Sequence, residues 1–297
     1  MKAFLLKALF AVALAAPGLA GAQPAAVVEG VQMPAWVERP EGTAAGGAVR
    51  KIPVVPGMQL KAGDKLVTGG GSRLQVRLAE GSVVKLGENG SLQLKELEPS
   101  QTLFKAALGV LQGAFRFTTD VLAKTRRERE VSISIATVTA GIRGTDLWGK
   151  SAPDRQIVCL IEGKIEVGAP NEAPVTMDQP MQFYRRENDI TQPVGFVDNA
   201  QLAQWAAETD IEKGRGAARR GGKWRITLAS GSNMDRVLKV YEQVRAAGYG
   251  AELGSALVNE KRVYTVRIRS LPSKADAQAL ADELKGKYGV ENPKVVS

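Results

Sequence analysis

The chain has 297 residues, 44% of them hydrophobic and 24% charged, and carries a formal net charge of +9 with no histidine and a single cysteine, Cys159. That length suggests two domains, and the apolar fraction is too high for a wholly disordered chain. The missing histidine removes Ser-His-Asp triads, Cys-His pairs and His-ligated zinc, and one cysteine makes neither an internal disulfide nor a thiolate metal site, so no cofactor or metal is expected. Carboxylate-only chemistry survives these exclusions, because glycoside hydrolysis needs only Asp and Glu.

The first 22 residues read as a cleavable export signal. Lys2 and Lys7 form a basic start, Ala8 to Ala16 a short apolar run, Pro17 and Gly18 a break, and Ala20-Gly21-Ala22 an A-x-A cleavage site. Without Lys2 and Lys7 the net charge falls to +7. No later stretch approaches 18 apolar residues, so no transmembrane span is expected in the mature chain. An exported product also disfavours nucleic acid and nucleotide cofactors. Residues 23–50 are rich in Ala, Gly and Pro and are expected to form a flexible leader, although Val27, Val28 and Val31 have the character of a strand start.

From 51 to about 197 the pattern is all-β. Leu74, Val76 and Leu78 alternate with Arg73, Gln75 and Arg77, and Gly-Ser turns recur at 71, 81 and 90. Short strands at this spacing indicate a sandwich, a barrel or a β-solenoid. Cys159 sits in the apolar run Ile157 to Ile161 and reads as a buried strand thiol. The mixed-sign run Arg126-Arg127-Glu128-Arg129-Glu130 reads as a solvated loop or edge.

Residues 198–221 read as a short helix carrying Leu202 and Trp205, followed by a linker with Gly214, Gly216, Gly221 and Gly222 among Lys and Arg. The last segment, 222–297, alternates strands and amphipathic helices in the order βαββαβ. Each helix starts at an S-x-x-D box, Ser232 to Asp235 and Ser273 to Asp276. The expected architecture is therefore an all-β domain, solenoid or sandwich-like, plus a small α+β domain.

Strand parity then defines a surface. With Ile226, Leu228, Tyr264, Val266 and Ile268 under the helices, Arg225, Thr227, Thr265, Arg267 and Arg269 point to the opposite face, with Ser230 at its edge. Both helices of a βαββαβ unit cover one side of the sheet, so this face stays open. The segment carries 13 Lys and Arg against 8 Asp and Glu. A solvated sheet would carry similar residues, so parity alone leaves a binding face and a plain solvent face equally open.

Two resemblances narrow the choice. Trp224 to Ser232, Ala246-Ala247-Gly248-Tyr249, Tyr264 to Leu271 and Ser273-Lys274-Ala275-Asp276-Ala277 resemble a SPOR domain, the sporulation-related repeat of cell-envelope proteins. Thr265, Arg269 and Ser270 depart from that family's second motif, and Thr227 stands where the family often has Gln. The resemblance implies binding to peptidoglycan, typically glycan strands stripped of stem peptides at division sites, for which the open face offers Arg225, Thr227, Ser230, Thr265, Arg267 and Arg269 as candidate binding residues, Arg267 matching the family motif. Gly63-Asp64-Lys65-Leu66-Val67-Thr68-Gly69, Leu78-Ala79-Glu80-Gly81-Ser82 and the Thr137 to Asp146 segment, with its Arg143-Gly144-Thr145-Asp146, look like a FecR-type periplasmic domain. This implies an all-β fold and a possible envelope protein partner.

The expected function is thus a non-catalytic, periplasmic, peptidoglycan-binding envelope protein. The competing enzyme is a carboxylate-dependent glycan hydrolase built on Glu80, Glu88, Asp146 or Glu162, though no pair of these has a recognisable spacing. RNA binding through the same split βαβ topology lacks the aromatic positions it needs between Arg262 and Arg269.

Overall fold

The computed structural model describes residues 24–42, 47–100, 102–119, 128–142 and 144–297. The export signal, Arg126, Arg127 and Arg143 lie outside them, while Glu128-Arg129-Glu130 begin a strand whose Glu128 and Glu130 are exposed.

The N-terminal domain is made of two β-layers joined by one long strand, Leu103–Thr118. Its first half pairs in parallel with Glu128–Ile135 and antiparallel with Ser91–Pro99 in one layer. Its second half pairs with Val83–Leu86 and Asp146–Ala152 in the other. The change of layer occurs at Gly113. Its φ of +87° suits glycine, and a Cβ there would stand 2.7 Å from the Gly90 Cα. Alternation along each strand fills the space between the layers with Leu66, Leu74, Leu92, Leu94, Phe104, Leu108, Phe115 and Phe117, all nearly inaccessible. The all-β expectation holds, and the two layers run into one continuous sheet of 19 strands among the described residues.

The flexible leader expected at 23–50 is corrected. Ala26–Gln32 pairs with Arg73–Leu78, and Ala35–Pro40 pairs with both Val49–Pro53 and Lys65–Thr68. Ala26, Val28, Val31, Ala35 and Val37 are fully buried. The Ala, Gly and Pro content concealed a period-2 apolar pattern, and burial of that pattern outweighs the weak strand propensity of the composition.

The helix Asn199–Ala207, capped by Asp198, lies against the outer face of the second layer. Trp205 stacks on the buried Trp148 with ring centroids 4.6 Å apart and planes 6° from parallel, and Phe183 meets Trp205 edge-on at 6.2 Å. Lys150 Nζ to Glu208 (2.8 Å) and Lys85 Nζ to Asp210 (2.5 Å) tie down the helix end. Cys159 is buried in this cluster, and burial pushes its thiol pKa up to about 12.

The stretch 213–222 also differs from the unstructured linker expected there. Ala217–Arg219 forms a strand antiparallel to Gly30–Gln32, with Ala217 and Ala218 buried, and the Gly214 N–H donates to Asp276 Oδ1 at 2.8 Å. Its glycines serve local backbone geometry: Gly214, Gly216 and Gly221 all have positive φ.

The C-terminal domain is a four-stranded antiparallel sheet in the order Glu252–Val258, Lys261–Leu271, Trp224–Gly231, Lys294–Val296. Helices Met234–Ala246 and Lys274–Leu284 pack on one face through Val237, Val240, Val244, Ala277, Leu280 and Leu284. Ser273 caps the second helix as the S-x-x-D box predicts. The first is capped one residue later than expected, by Asn233, whose side chain accepts from the Arg236 N–H. The two domains share one continuous hydrophobic core. At their junction the Ala35 N–H donates to the Gly248 carbonyl at 3.1 Å, and the Gly250 N–H to Met33 Sδ at 3.3 Å.

Candidate functional site

Two neighbouring strands build the site. Ile226, Leu228, Val266 and Ile268 are buried against the helices. The residues between them face the other way and are half-buried or exposed. The register sets Thr227 opposite Arg267 and Ser230 opposite Thr265, with the two hydroxyls 3.4 Å apart. A bulge at Leu228 keeps Ser230 on the polar side beyond it. Arg225 lies opposite Val296 on the short last strand, and Thr227 opposite Lys294. All six predicted residues therefore share one sheet face, spread over two adjacent strands.

Several further residues of this face were missed by sequence reading. Glu252 lies opposite Arg267 and binds Arg269, with Nε 3.0 Å from Oε2; both side chains are about half exposed. Gly254 leaves room for Arg267, whose Nη2 would stand 3.1 Å from a Cβ at that position. Lys294 adds a fourth cation to the face. Its parity was legible only after the last strand had been paired with Trp224–Gly231. Thr227 and Ser230 also line a hollow of about 470 Å³ whose floor reaches Leu228, Val237 and Val240 on the helix side and whose polar walls are Ser232, Asn233, Arg236, Glu291 and Lys294. Arg236 Nη2 lies 3.0 Å from Glu291 Oε1 on its rim. Arg225, Thr265, Arg267 and Arg269 lie outside this hollow, on the flat part of the face.

Chemically, the face offers guanidinium and ammonium donors from Arg225, Arg267, Arg269 and Lys294, hydroxyls from Thr227, Ser230 and Thr265, and one carboxylate, Glu252, which is already paired. Such a set suits an extended ligand bearing hydroxyls, amide carbonyls and anionic groups. Among the described residues no group of three or more Cys, Asp or Glu side chains is placed to hold a metal ion.

Of the carboxylates considered for hydrolysis, Asp146 and Glu162 are cross-strand neighbours, while Glu80 and Glu88 lie in separate turns. Asp146 accepts from Arg116 Nε and Nη2 at 2.9 and 2.7 Å and from Thr118 at 3.2 Å. Glu88 accepts from the Gly71 N–H, Glu80 is buried in the tight turn around Gly81, and Glu162 lies opposite Asp146 on the neighbouring strand. Among the motif residues, Asp64 and Asp146 have structural partners. Fully buried Asp64 holds Arg39 through two hydrogen bonds of 2.7 and 2.6 Å and accepts from the Lys61 N–H.

No helix among the described residues is long and apolar enough to cross a membrane. No curated protein matches the chain. Two crystal structures from Parabacteroides distasonis, both described as of an anti-sigma factor, share 17% and 14% identity with it, each with a TM-score of 0.39. The first is matched over 48% of this chain and 64% of its own, just under two thirds, and the second over 74% and 89%. SPOR domains bind peptidoglycan, and SPOR and FecR domains are typical of the cell envelope and periplasm. Residues 64–166 match the FecR protein family and residues 221–297 match the SPOR domain, so the chain carries these two modules in that order.

Proposed function

We propose that the protein is a non-catalytic, exported envelope protein that docks on peptidoglycan through residues 221–297 and holds its FecR-type sandwich against a periplasmic partner. The observation that carries this reading is the open face of the SPOR sheet, where Arg225, Thr227, Ser230, Thr265, Arg267 and Arg269 converge beside Lys294. Bare glycan supplies the matching chemistry: hydroxyls for Thr and Ser, acetamido carbonyls for N–H donors, and lactyl carboxylates for the guanidinium groups once stem peptides are removed. Denuded strands at the division site are the substrate this chemistry favours. The sandwich contributes a rigid body with exposed strand edges and loops, and a protein partner suits it better than a small molecule.

The test is sedimentation of the purified mature chain with intact and with amidase-treated sacculi. Stronger co-sedimentation with the treated sacculi, and no release of soluble fragments, supports the reading. Equal binding to both would move recognition to another component, and soluble sugar fragments would make the protein a hydrolase.

A further inference from the structure

The edge strand Glu252–Val258 is unusual for a protein surface. Among the described residues it pairs with Lys261–Leu271 on one side only, in unbroken register, and occupies the end of its sheet. Exposed strand edges are normally blunted by Lys, Pro or a bulge. Here six consecutive residues after Glu252 carry no charge and no proline, and Leu253, Leu257 and Val258 are 36, 71 and 51% exposed.

The same strand is close to a palindrome. Leu253-Gly254-Ser255-Ala256-Leu257 reads with leucine at both ends, small residues within and Ser255 at the centre. From this we infer that the edge pairs with the same strand of a second copy, antiparallel, with Ser255 on a twofold axis perpendicular to the sheet. Leu253 of each copy then lies opposite Leu257 of the other, on the helix side of the sheet. Gly254 lies opposite Ala256 on the polar side, where their small size admits close approach. Charge agrees with this register. Glu252 falls opposite Val258 of the second copy, and Val258 stands opposite Lys261 within its own chain, so Glu252 faces the second copy's Lys261 across one strand. The contact is self-complementary and closed, as a twofold dimer requires.

The dimer is one eight-stranded sheet with both helix pairs on one side and both polar faces on the other. The inference builds on the glycan reading in one respect: two faces in one plane would engage a glycan layer at two points, raising apparent affinity without new contacts.

The test uses the mature full chain, with dimerisation read without glycan. Sedimentation velocity should give twice the chain mass, and Leu257→Lys, at an exposed position that leaves the fold intact, should return it to the chain mass. Ser255→Cys should form a disulfide-linked dimer on mild oxidation, since a residue on the axis meets its own copy at disulfide distance. Leu253→Cys alone should not link, whereas the Leu253→Cys, Leu257→Cys double variant should. The native Cys159 is buried and does not interfere. A monomeric wild type with Ser255→Cys unlinked overturns the inference and leaves the edge to an extended peptide of another protein. Glycan binding is scored separately: a dimer that fails to bind denuded glycan refutes the functional reading alone, and a glycan-binding monomer refutes the dimer alone.

Discussion

Gly248 and Trp36 meet where the two domains join. Gly248 follows the helix Met234–Ala246 with a φ of +90°, and a Cβ on it would lie 2.5 Å from Trp36 Cζ2. The residue satisfies two demands at once: a left-handed helix end, and close approach of an indole from the other domain. Gly250 beside it would bring a Cβ within 2.4 Å of Val55 Cγ1.

Gly248→Ala should therefore cost about 2–4 kcal/mol, combining positive-φ strain with the clash at Trp36. Gly250→Ala should act mainly on the junction. In the wild type the paired strand Ala217–Arg219 should slow cleavage between the domains. Limited trypsin digestion of Gly250→Ala should release a fragment of about 75 residues faster than from wild type. Equal digestion rates would show that the junction does not hold the domains together.

Trp205 should matter as packing. It covers Trp148 by a parallel stack and is itself half-buried, so Trp205→Ala should cost roughly 2–3 kcal/mol, less than a fully buried Trp. Denaturant unfolding followed by tryptophan fluorescence measures it. The variant should also increase labelling of Cys159, whose raised pKa keeps the native thiol unreactive.

Asp146, within the R-G-T-D motif, should behave as a structural residue. Its carboxylate takes both hydrogen bonds of Arg116, and that pairing raises the Arg116 pKa against burial, which lowers it. Asp146→Ala strands a largely buried guanidinium and should cost about 2–3 kcal/mol by thermal or urea unfolding. Binding of the isolated SPOR segment's target should not change in the folded variant, because Asp146 belongs to the other domain.

Tyr249 gives a pH dependence. Burial first, then its 2.5 Å hydrogen bond to Glu283, raises its pKa well above the ordinary tyrosine value. The neutral phenol is favoured in the folded state. Its contribution is full below about pH 10 and declines above that by at most about 1.4 kcal/mol per pH unit. Melting temperature should fall more steeply above pH 10 for the wild type than for Tyr249→Phe, and parallel curves would contradict this.

Much of the open polar face was legible in the sequence because a strand's side chains alternate with period 2, so Ile226 and Ile268 beneath the helices fixed the direction of Thr227 and Arg267. Glu252 and Lys294 were not legible in that way. Both reach the face only through pairing between strands, which local periodicity does not specify. The leader was misread because Ala and Gly content masked the alternation of Val28, Val31, Ala35 and Val37. The segment 213–222 was misread because glycines that signal flexibility locally here supply positive φ on either side of a strand that pairs more than 180 residues away.

The most direct test of the glycan face is the binding of Arg267→Ala to amidase-treated sacculi, read as an apparent dissociation constant beside Arg225→Ala and Thr227→Ala. Arg267 lies mid-strand on the polar side, opposite Thr227 and Glu252, so its removal leaves the core intact. A charge-assisted contact is worth about 1.5–3 kcal/mol, so binding should weaken about 10- to 100-fold with an unchanged melting temperature. Wild-type affinity in a folded Arg267→Ala protein would show that this residue is not a contact, and wild-type affinity in all three variants would contradict the account of the face as a whole.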